Sequence, residues 1–145
     1  MNLFVKDLMR VNVFTISPDA GLDRALVIMS SKHIRHLPVI EGDEMVGLIS
    51  DRDLRLSMVE QAGPQKAPKG MFLPALTKVR AIMKKEVLTA APDDKLLAAT
   101  RLMSEKKIGC LPVLVPGTKK LAGIITETDL LAELVRLLEE KEKLG

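Results

Sequence analysis

The stretch Gly47-Leu48-Ile49-Ser50-Asp51-Arg52-Asp53-Leu54 returns 76 residues later as Gly123-Ile124-Ile125-Thr126-Glu127-Thr128-Asp129-Leu130. Both versions run from a glycine through apolar residues to a hydroxyl residue, with an Asp three positions after it. Upstream, Leu37-Pro38-Val39 recurs as Leu111-Pro112-Val113, and an offset of 74 lays Val5 to Val39 on Val79 to Val113 without a gap. Fifteen of those 35 pairs are identical, among them Met9/Met83, Thr15/Thr89, Pro18/Pro92, Asp19/Asp93, Leu22/Leu96 and Met29/Met103. Matching blocks that recur in the same order are the mark of a duplicated structural unit, not of composition.

Each copy reads alike. A short helix over Val5 to Met9 leads to an extended segment at Val13 to Ile16, closed by the turn residues Ser17-Pro18-Asp19. Leu22, Ala25, Leu26, Ile28 and Met29 fall at helical spacing, which predicts an amphipathic helix over Leu22 to Lys32. Leu37 to Ile40 and Met45 to Ile49 are short apolar runs split by Glu41-Gly42-Asp43, a hairpin pattern, and Asp51 to Glu60 reads as a helix. The second copy repeats the order with a longer hairpin loop at Val115 to Lys119. The expected fold class is mixed α/β (α+β), two strand-helix-strand-strand-helix units. The boundaries read as 1–60 for the first unit, 61–77 for a Gly- and Pro-rich linker, and 78–145 for the second unit with a C-terminal helix. Met71, Phe72, Leu73 and Leu76 interrupt the linker and are expected to pack back onto the body. A unit of this size buries little surface alone, so the pair is the expected folding unit.

Composition narrows the function classes. With 47% hydrophobic and 28% charged residues the chain is globular, not disordered. No apolar run reaches the ~20 residues that span a bilayer, and the first residues lack the layout of a signal peptide, so a cytoplasmic protein without membrane contact is expected. A net charge of +3, no Trp, no Tyr and three Phe leave little for a nucleic-acid surface. One cysteine, Cys110, excludes an internal disulfide. It reads as a buried thiol. His33 and His36 make two metal ligands without a third, so no metal is expected. No Gly-rich phosphate loop, nucleophile elbow or paired zinc histidines occur, and nothing reads as catalytic.

Two blocks in each copy could carry chemistry. Ser50 to Asp53, and Thr126 to Asp129, fit a capping box, in which a hydroxyl residue and an acid three positions later satisfy a helix N-terminus. The same arrangement offers unsatisfied N–H groups to phosphate, and a fixed carboxylate to the two hydroxyls of a ribose. The block Lys32-His33-Ile34-Arg35-His36 reads either as solvated cations at a helix C-terminus or as a phosphate clamp built on Arg35 and His36. In the second copy Gly109 and Cys110 stand at those two places, so the copies differ where phosphate charge would be met.

These motifs resemble those of the CBS-domain family. The two copies of Leu-Pro-Val and of the Gly47–Leu54 pattern look like a tandem pair, a Bateman module, over nearly the whole chain. Among such proteins the chain looks most like the stand-alone acetoin-utilisation type, which often carries a further ligand-binding domain; 145 residues are expected to be too few to hold one as well. The resemblance implies two units packed as a pseudo-twofold pair and binding of an adenosine-containing ligand such as AMP, ADP, ATP or S-adenosylmethionine in clefts, with no cofactor required. By the same resemblance Asp53 and Asp129 hold ribose hydroxyls, while Ser50 and Arg52, and Thr126 and Thr128, lie near ribose and phosphate. Arg35 and His36, and Gly109 and Cys110, face phosphate, the second pair departing from the cationic pattern. The base slots against Asn12, Phe14 and Ile34, or against Glu86, Leu88 and Ile108, and which segment serves which Asp stays open.

Two functions from different classes follow. One is a regulatory nucleotide sensor that signals by conformational change to a regulated protein. The other is a structural dimerisation or docking module with unoccupied pockets, supported by Leu130, Leu131, Leu134, Leu137 and Leu138 along the last helix. That stripe reads more readily as core than as interface. A homodimer is expected, because four small units bury apolar helix faces better than two.

Overall fold

The computed structural model describes residues 2–62 and 74–145. In the first copy the elements are α1 (Val5–Leu8), α2 (Leu22–Lys32), β1 (His36–Glu41), β2 (Glu44–Ser50) and α3 (Asp51–Ala62). A single 3-10 turn at Pro74–Leu76 precedes the second copy, which has α4 (Val79–Ile82), α5 (Leu96–Lys106), β3 (Cys110–Leu114), β4 (Leu121–Thr126) and α6 (Glu127–Leu144). Each hairpin is a two-stranded antiparallel sheet with a register shift after Val39 or Val113. The mixed class and the duplicated order are as the sequence predicts.

Both 11-residue helices end in the same unusual way. His33 (φ 55°) and Lys107 (φ 54°) are left-handed, and the next N–H, of Ile34 or Ile108, donates back to the carbonyl of Met29 or Met103 at 3.1 Å. That closure stops the helix and turns the chain directly into β1 or β3.

The extended segment expected before each long helix is reduced to one parallel bridge, Ile16 to Val39 or Ala90 to Val113. The proline of the repeated motif explains why. The Ile16 N–H donates to the Pro38 carbonyl (3.1 Å) and the Ile40 N–H donates to the Ile16 carbonyl (2.9 Å). The next rung of a parallel ladder needs the N–H of residue 38 on the Phe14 carbonyl, and proline has none. Pro112 withholds the same donor from Leu88. The strand therefore peels away at the two residues read as base contacts.

The compact units are not cut where the sequence repeats are. One unit comprises Phe14–Val87, and the other comprises Met1–Val13 together with Leu88–Gly145. Each leading segment thus belongs to the body of the other copy. In the first of these units Val79 and Arg80 donate their N–H groups to the carbonyls of Ala20 (2.8 Å) and Pro18 (2.9 Å). The Arg80 side chain reaches Asp19 and Glu41, whose carboxylates raise its pKa, the Glu41 hydrogen bond being the largest cause. In the other unit Val5 donates to Asp94 (2.9 Å), Lys6 to Pro92 (3.0 Å), and the Lys6 ammonium pairs with Asp93 at 2.8 Å.

The energetic reason for this attachment is apolar. Val79 is fully buried among Ile16, Leu22, Ala25, Met29, Leu37, Val39, Ile49 and Leu54. Val5 is equally buried among Ala90, Leu96, Ala99, Met103, Leu111, Val113 and Ile125. Each valine contributes on the order of 2 kcal/mol by burial, so the leading helices, only four residues long, are held by packing rather than by helical propensity.

Two expectations need correction. Leu76 does not pack back: it is 77% exposed, and the contact at this point is made by the backbone of Ala75 beside Gly21. Met71, Phe72 and Leu73 lie outside the described residues. On α6, Leu130 packs against its core, but Leu131, Leu134 and Leu138 are about half exposed, so most of the leucine stripe is surface. Arg136 holds the nearby Glu133 carboxyl below the ordinary carboxylate range through a side-chain hydrogen bond. No helix among the described residues is long and apolar enough to cross a membrane.

Candidate functional site

The hairpin register brings the two chemistry-bearing blocks together. His36 faces Ser50 across β1–β2, and Cys110 faces Thr126 across β3–β4. A further backbone bond ties each block to the following helix, from the Asp51 N–H to the Arg35 carbonyl (2.9 Å) and from the Glu127 N–H to the Gly109 carbonyl (3.0 Å). Residues 35–36 and 50–53 are distant in sequence, and the ladder together with that bond brings their backbones side by side.

At the helix starts the capping boxes are formed. The Ser50 N–H and hydroxyl both donate to Asp53 Oδ2 at 2.9 Å, and the Asp53 N–H donates back to the Ser50 Oγ at 3.1 Å. The Thr126 N–H and hydroxyl donate to Asp129 Oδ2 at 2.9 and 3.0 Å. Capping uses one oxygen of each carboxylate and fixes the side chain's rotamer, which leaves the second oxygen, Oδ1, for another donor. The cap therefore draws on Oδ2 alone and leaves Oδ1 outside it.

The two carboxylates differ at that second oxygen. Arg10 Nε donates to Asp129 Oδ1 at 2.9 Å, from a side chain 65% exposed to one only 8% exposed. Lys84 is the repeat counterpart of Arg10, and its backbone pairs with Leu48 as that of Arg10 pairs with Ile124. Asp53 Oδ1, however, accepts no hydrogen bond from the described residues. Arg10 was missed in reading the sequence. The available signal was a cation directly after Met9 and after Met83.

The remaining candidates divide between the units. Phe14, Ile34, Arg35, His36, Ser50, Arg52, Asp53 and Glu86 belong to one, and Asn12, Leu88, Ile108, Gly109, Cys110, Thr126, Thr128 and Asp129 to the other. The segments left open in the sequence are thus split within themselves: Asn12 falls with Asp129 and Phe14 with Asp53, while Glu86 falls with Asp53 and Leu88 with Asp129. Phe14 and Leu88, at matched positions, are 46% and 47% exposed. The Lys32 ammonium sits 5.2 Å from the Phe14 ring centroid, a cation–π contact that covers one face of that ring. Arg35, Arg52, Glu86, Asn12 and Thr128 are exposed; His36, Ser50 and Asp53 are half-buried; Ile34 and Ile108 pack partly on the cores. Cys110 is buried. Among the described residues no group of three or more His, Cys, Asp or Glu side chains could hold a metal ion.

Comparison with known proteins accounts for the repeat. The CBS domain model matches residues 5–60 and again 79–136. A CBS domain-containing protein of Dictyostelium discoideum is 36% identical over 140 residues, 96% of each chain. A crystal structure described as an acetoin utilization protein (AcuB) from Vibrio cholerae aligns with a TM-score of 0.81 at 30% identity, covering 99% of this chain and 98% of that one. The structure of CBSX2 in complex with AMP aligns with a TM-score of 0.73 at 26% identity, covering 92% of this chain and 97% of that one. Other relatives are longer, and the chain spans 39%, 24% and 22% of three of them. The chain belongs to the CBS domain family and carries the domain twice, in tandem.

Proposed function

We propose that the chain is a regulatory module that binds an adenosine nucleotide, and that occupancy changes the balance of its conformations for a partner protein to read. The observation that carries this reading is the register that sets His36 and Arg35 beside Ser50 and Asp53. A guanidinium fork, a helix N-terminus and a pre-oriented carboxylate are the set of groups a nucleoside monophosphate needs, and that register supports their acting together. Asp53 takes the ribose hydroxyls, Arg35 and His36 take phosphate with Arg52 and Ser50 alongside, and Phe14 and Ile34 meet the base. Asp129, Thr126, Thr128, Leu88, Ile108 and Asn12 form the second site. The AMP held by CBSX2, a relative of the same fold, supports AMP as the first ligand to try, with ADP, ATP and S-adenosylmethionine after it. The role is binding rather than catalysis, and the cytoplasm is the compartment that suits a nucleotide sensor.

A melting-shift series tests this. A ligand that binds only the native state at about 100 times its Kd adds roughly 2.7 kcal/mol of stability, a shift of several degrees. AMP should produce it. No shift with any of the four adenosine compounds would remove the proposal and favour the second reading, a dimerisation or docking module. That alternative is supported by the exposed apolar face of α6.

A further inference from the structure

We infer that Arg10 is the residue that makes the Asp129 site select phosphorylated adenosine compounds over adenosine itself, an inference that rests on the nucleotide-binding reading above. This site lacks the Arg35 guanidinium and the His36 imidazole of the other, since Gly109 and Cys110 stand in their places. A cation nevertheless arrives from the exchanged leading segment. The Arg10 backbone is pinned by two hydrogen bonds with Ile124, its N–H on the Ile124 carbonyl (2.8 Å) and its carbonyl accepting the Ile124 N–H (2.9 Å). Its side chain, by contrast, is 65% exposed and can swing without disturbing the fold. Its Nε donates to Asp129 Oδ1, the oxygen a ribose would need.

Selection follows from what each ligand offers in exchange. Adenosine must break the Arg10–Asp129 bond and gives the guanidinium nothing in return. AMP breaks the same bond but presents a phosphate, which the guanidinium fork binds better than a single carboxylate oxygen. Arg10 thus acts against the neutral ligand and for the charged one, from a single position. In the other unit no such contact joins Lys84 to Asp53 among the described residues, and phosphate is met from Arg35 and His36 instead.

The experiment uses the full chain carrying Asp53→Asn, so that calorimetry reads the Asp129 site, with AMP and adenosine as the probes. Arg10→Ala should lower AMP affinity roughly tenfold and raise adenosine affinity about two- to threefold, the second change being small because the ion pair is half in water. Arg10→Lys should restore part of the preference, since it keeps the charge and loses the fork. An unchanged AMP-to-adenosine ratio in Arg10→Ala would overturn the inference. So would a ratio that collapses on Lys106→Ala or Lys107→Ala and not on Arg10→Ala. Failure of AMP and adenosine alike to bind the unsubstituted chain would bring down the nucleotide reading with it, whereas binding with an unmoved ratio counts against Arg10 alone.

Discussion

Gly47 lies so close to the carbonyl of Lys84 that a Cβ built on it would stand 2.7 Å from that oxygen, and 2.7 Å from Met83 Sδ as well. Gly123 meets the Arg10 carbonyl at 2.7 Å and Met9 Sδ at 3.0 Å in the same way. The repeated glycine is therefore the point where each body receives the other copy's leading segment. Gly47→Ala and Gly123→Ala should each cost about 2 kcal/mol, as overpacking against backbone does. Gly42→Ala is the contrasting case, because its Cβ would meet nothing within 4 Å although its φ is +65°. There only the left-handed penalty of about 1 kcal/mol applies. Urea denaturation of the three variants checks the order. A Gly47→Ala variant no less stable than Gly42→Ala would show that the leading segment yields freely.

The left-handed residues that end α2 and α5 make a prediction of the opposite sign. His33 and Lys107 each adopt a conformation that costs a side-chain-bearing residue on the order of 1 kcal/mol and glycine almost nothing. Replacing either with Gly should raise stability by up to about 1 kcal/mol, reduced by the extra freedom glycine gains in the unfolded chain. Both sites are exposed, so little packing is lost. Thermal melting of His33→Gly and Lys107→Gly is the measurement, and a fall in either melting temperature would count against the argument.

The nucleotide proposal gives Asp53 and Asp129 a second role beside the cap, and one pair of substitutions separates the two. Asp53→Ala removes both the cap and the ribose acceptor, so it should cost about 1 kcal/mol of stability and most of the adenosine affinity. Asp53→Asn keeps one oxygen for Ser50 and replaces the second with a donor. It should stay within about 0.5 kcal/mol of the parent yet bind at least tenfold more weakly. Should Asp53→Asn bind AMP as well as the parent does, the carboxylate serves the helix alone.

Leu131, Leu134, Val135 and Leu138 lie at helical spacing on α6 and are all about half exposed, a face that a second copy of the chain would cover. We expect a homodimer at micromolar concentration. Paired Leu134→Glu and Leu138→Glu should shift the sedimentation mass to that of one chain while leaving the circular dichroism of the helices unchanged. A parent chain that sediments as a monomer at that concentration would end the idea.

What could be read from the sequence, and what could not, follows from the range of the interactions. The duplication, the long helices and the hairpins rest on local periodicity, and they stand where the pattern puts them. Ser50 with Asp53 is three residues of local geometry, so both the capping box and the candidate carboxylate were visible. Attachment of Val5 and Val79 to the opposite bodies was not, because a four-residue helix with one buried valine carries no address in its own pattern. The same blindness hid Arg10, whose partner Asp129 is 119 positions away. Leu76 misled for the converse reason: an apolar residue in a polar stretch suggests burial, but here the small residues Gly21 and Ala75 make the contact. The first extended segments carry a strand pattern, but Pro38 and Pro112 lack the N–H that would extend their pairing beyond one bridge.

Arg35 and His36, at the start of β1 opposite Ser50, yield the last prediction. Arg35 is exposed and His36 half-buried, one on each side of the point where β1 begins, and the Arg35 carbonyl is held by Asp51. Replacing both side chains with Ala leaves that backbone bond in place, so the helix start and Asp53 should keep their geometry. Hydrogen bonds to charged groups contribute roughly 1.5–3 kcal/mol, which predicts a loss of AMP affinity of tenfold or more with adenosine affinity nearly unchanged. The salt dependence of AMP binding should weaken in parallel, because exposed charges are screened over about 8 Å at physiological ionic strength and the screened attraction would be gone. Calorimetry on Arg35→Ala/His36→Ala and on the parent, each carrying Asp129→Asn to silence the second site, at two salt concentrations, measures both effects. An AMP-to-adenosine ratio that survives the double substitution would mean that phosphate is held by Arg52 and the α3 N-terminus instead.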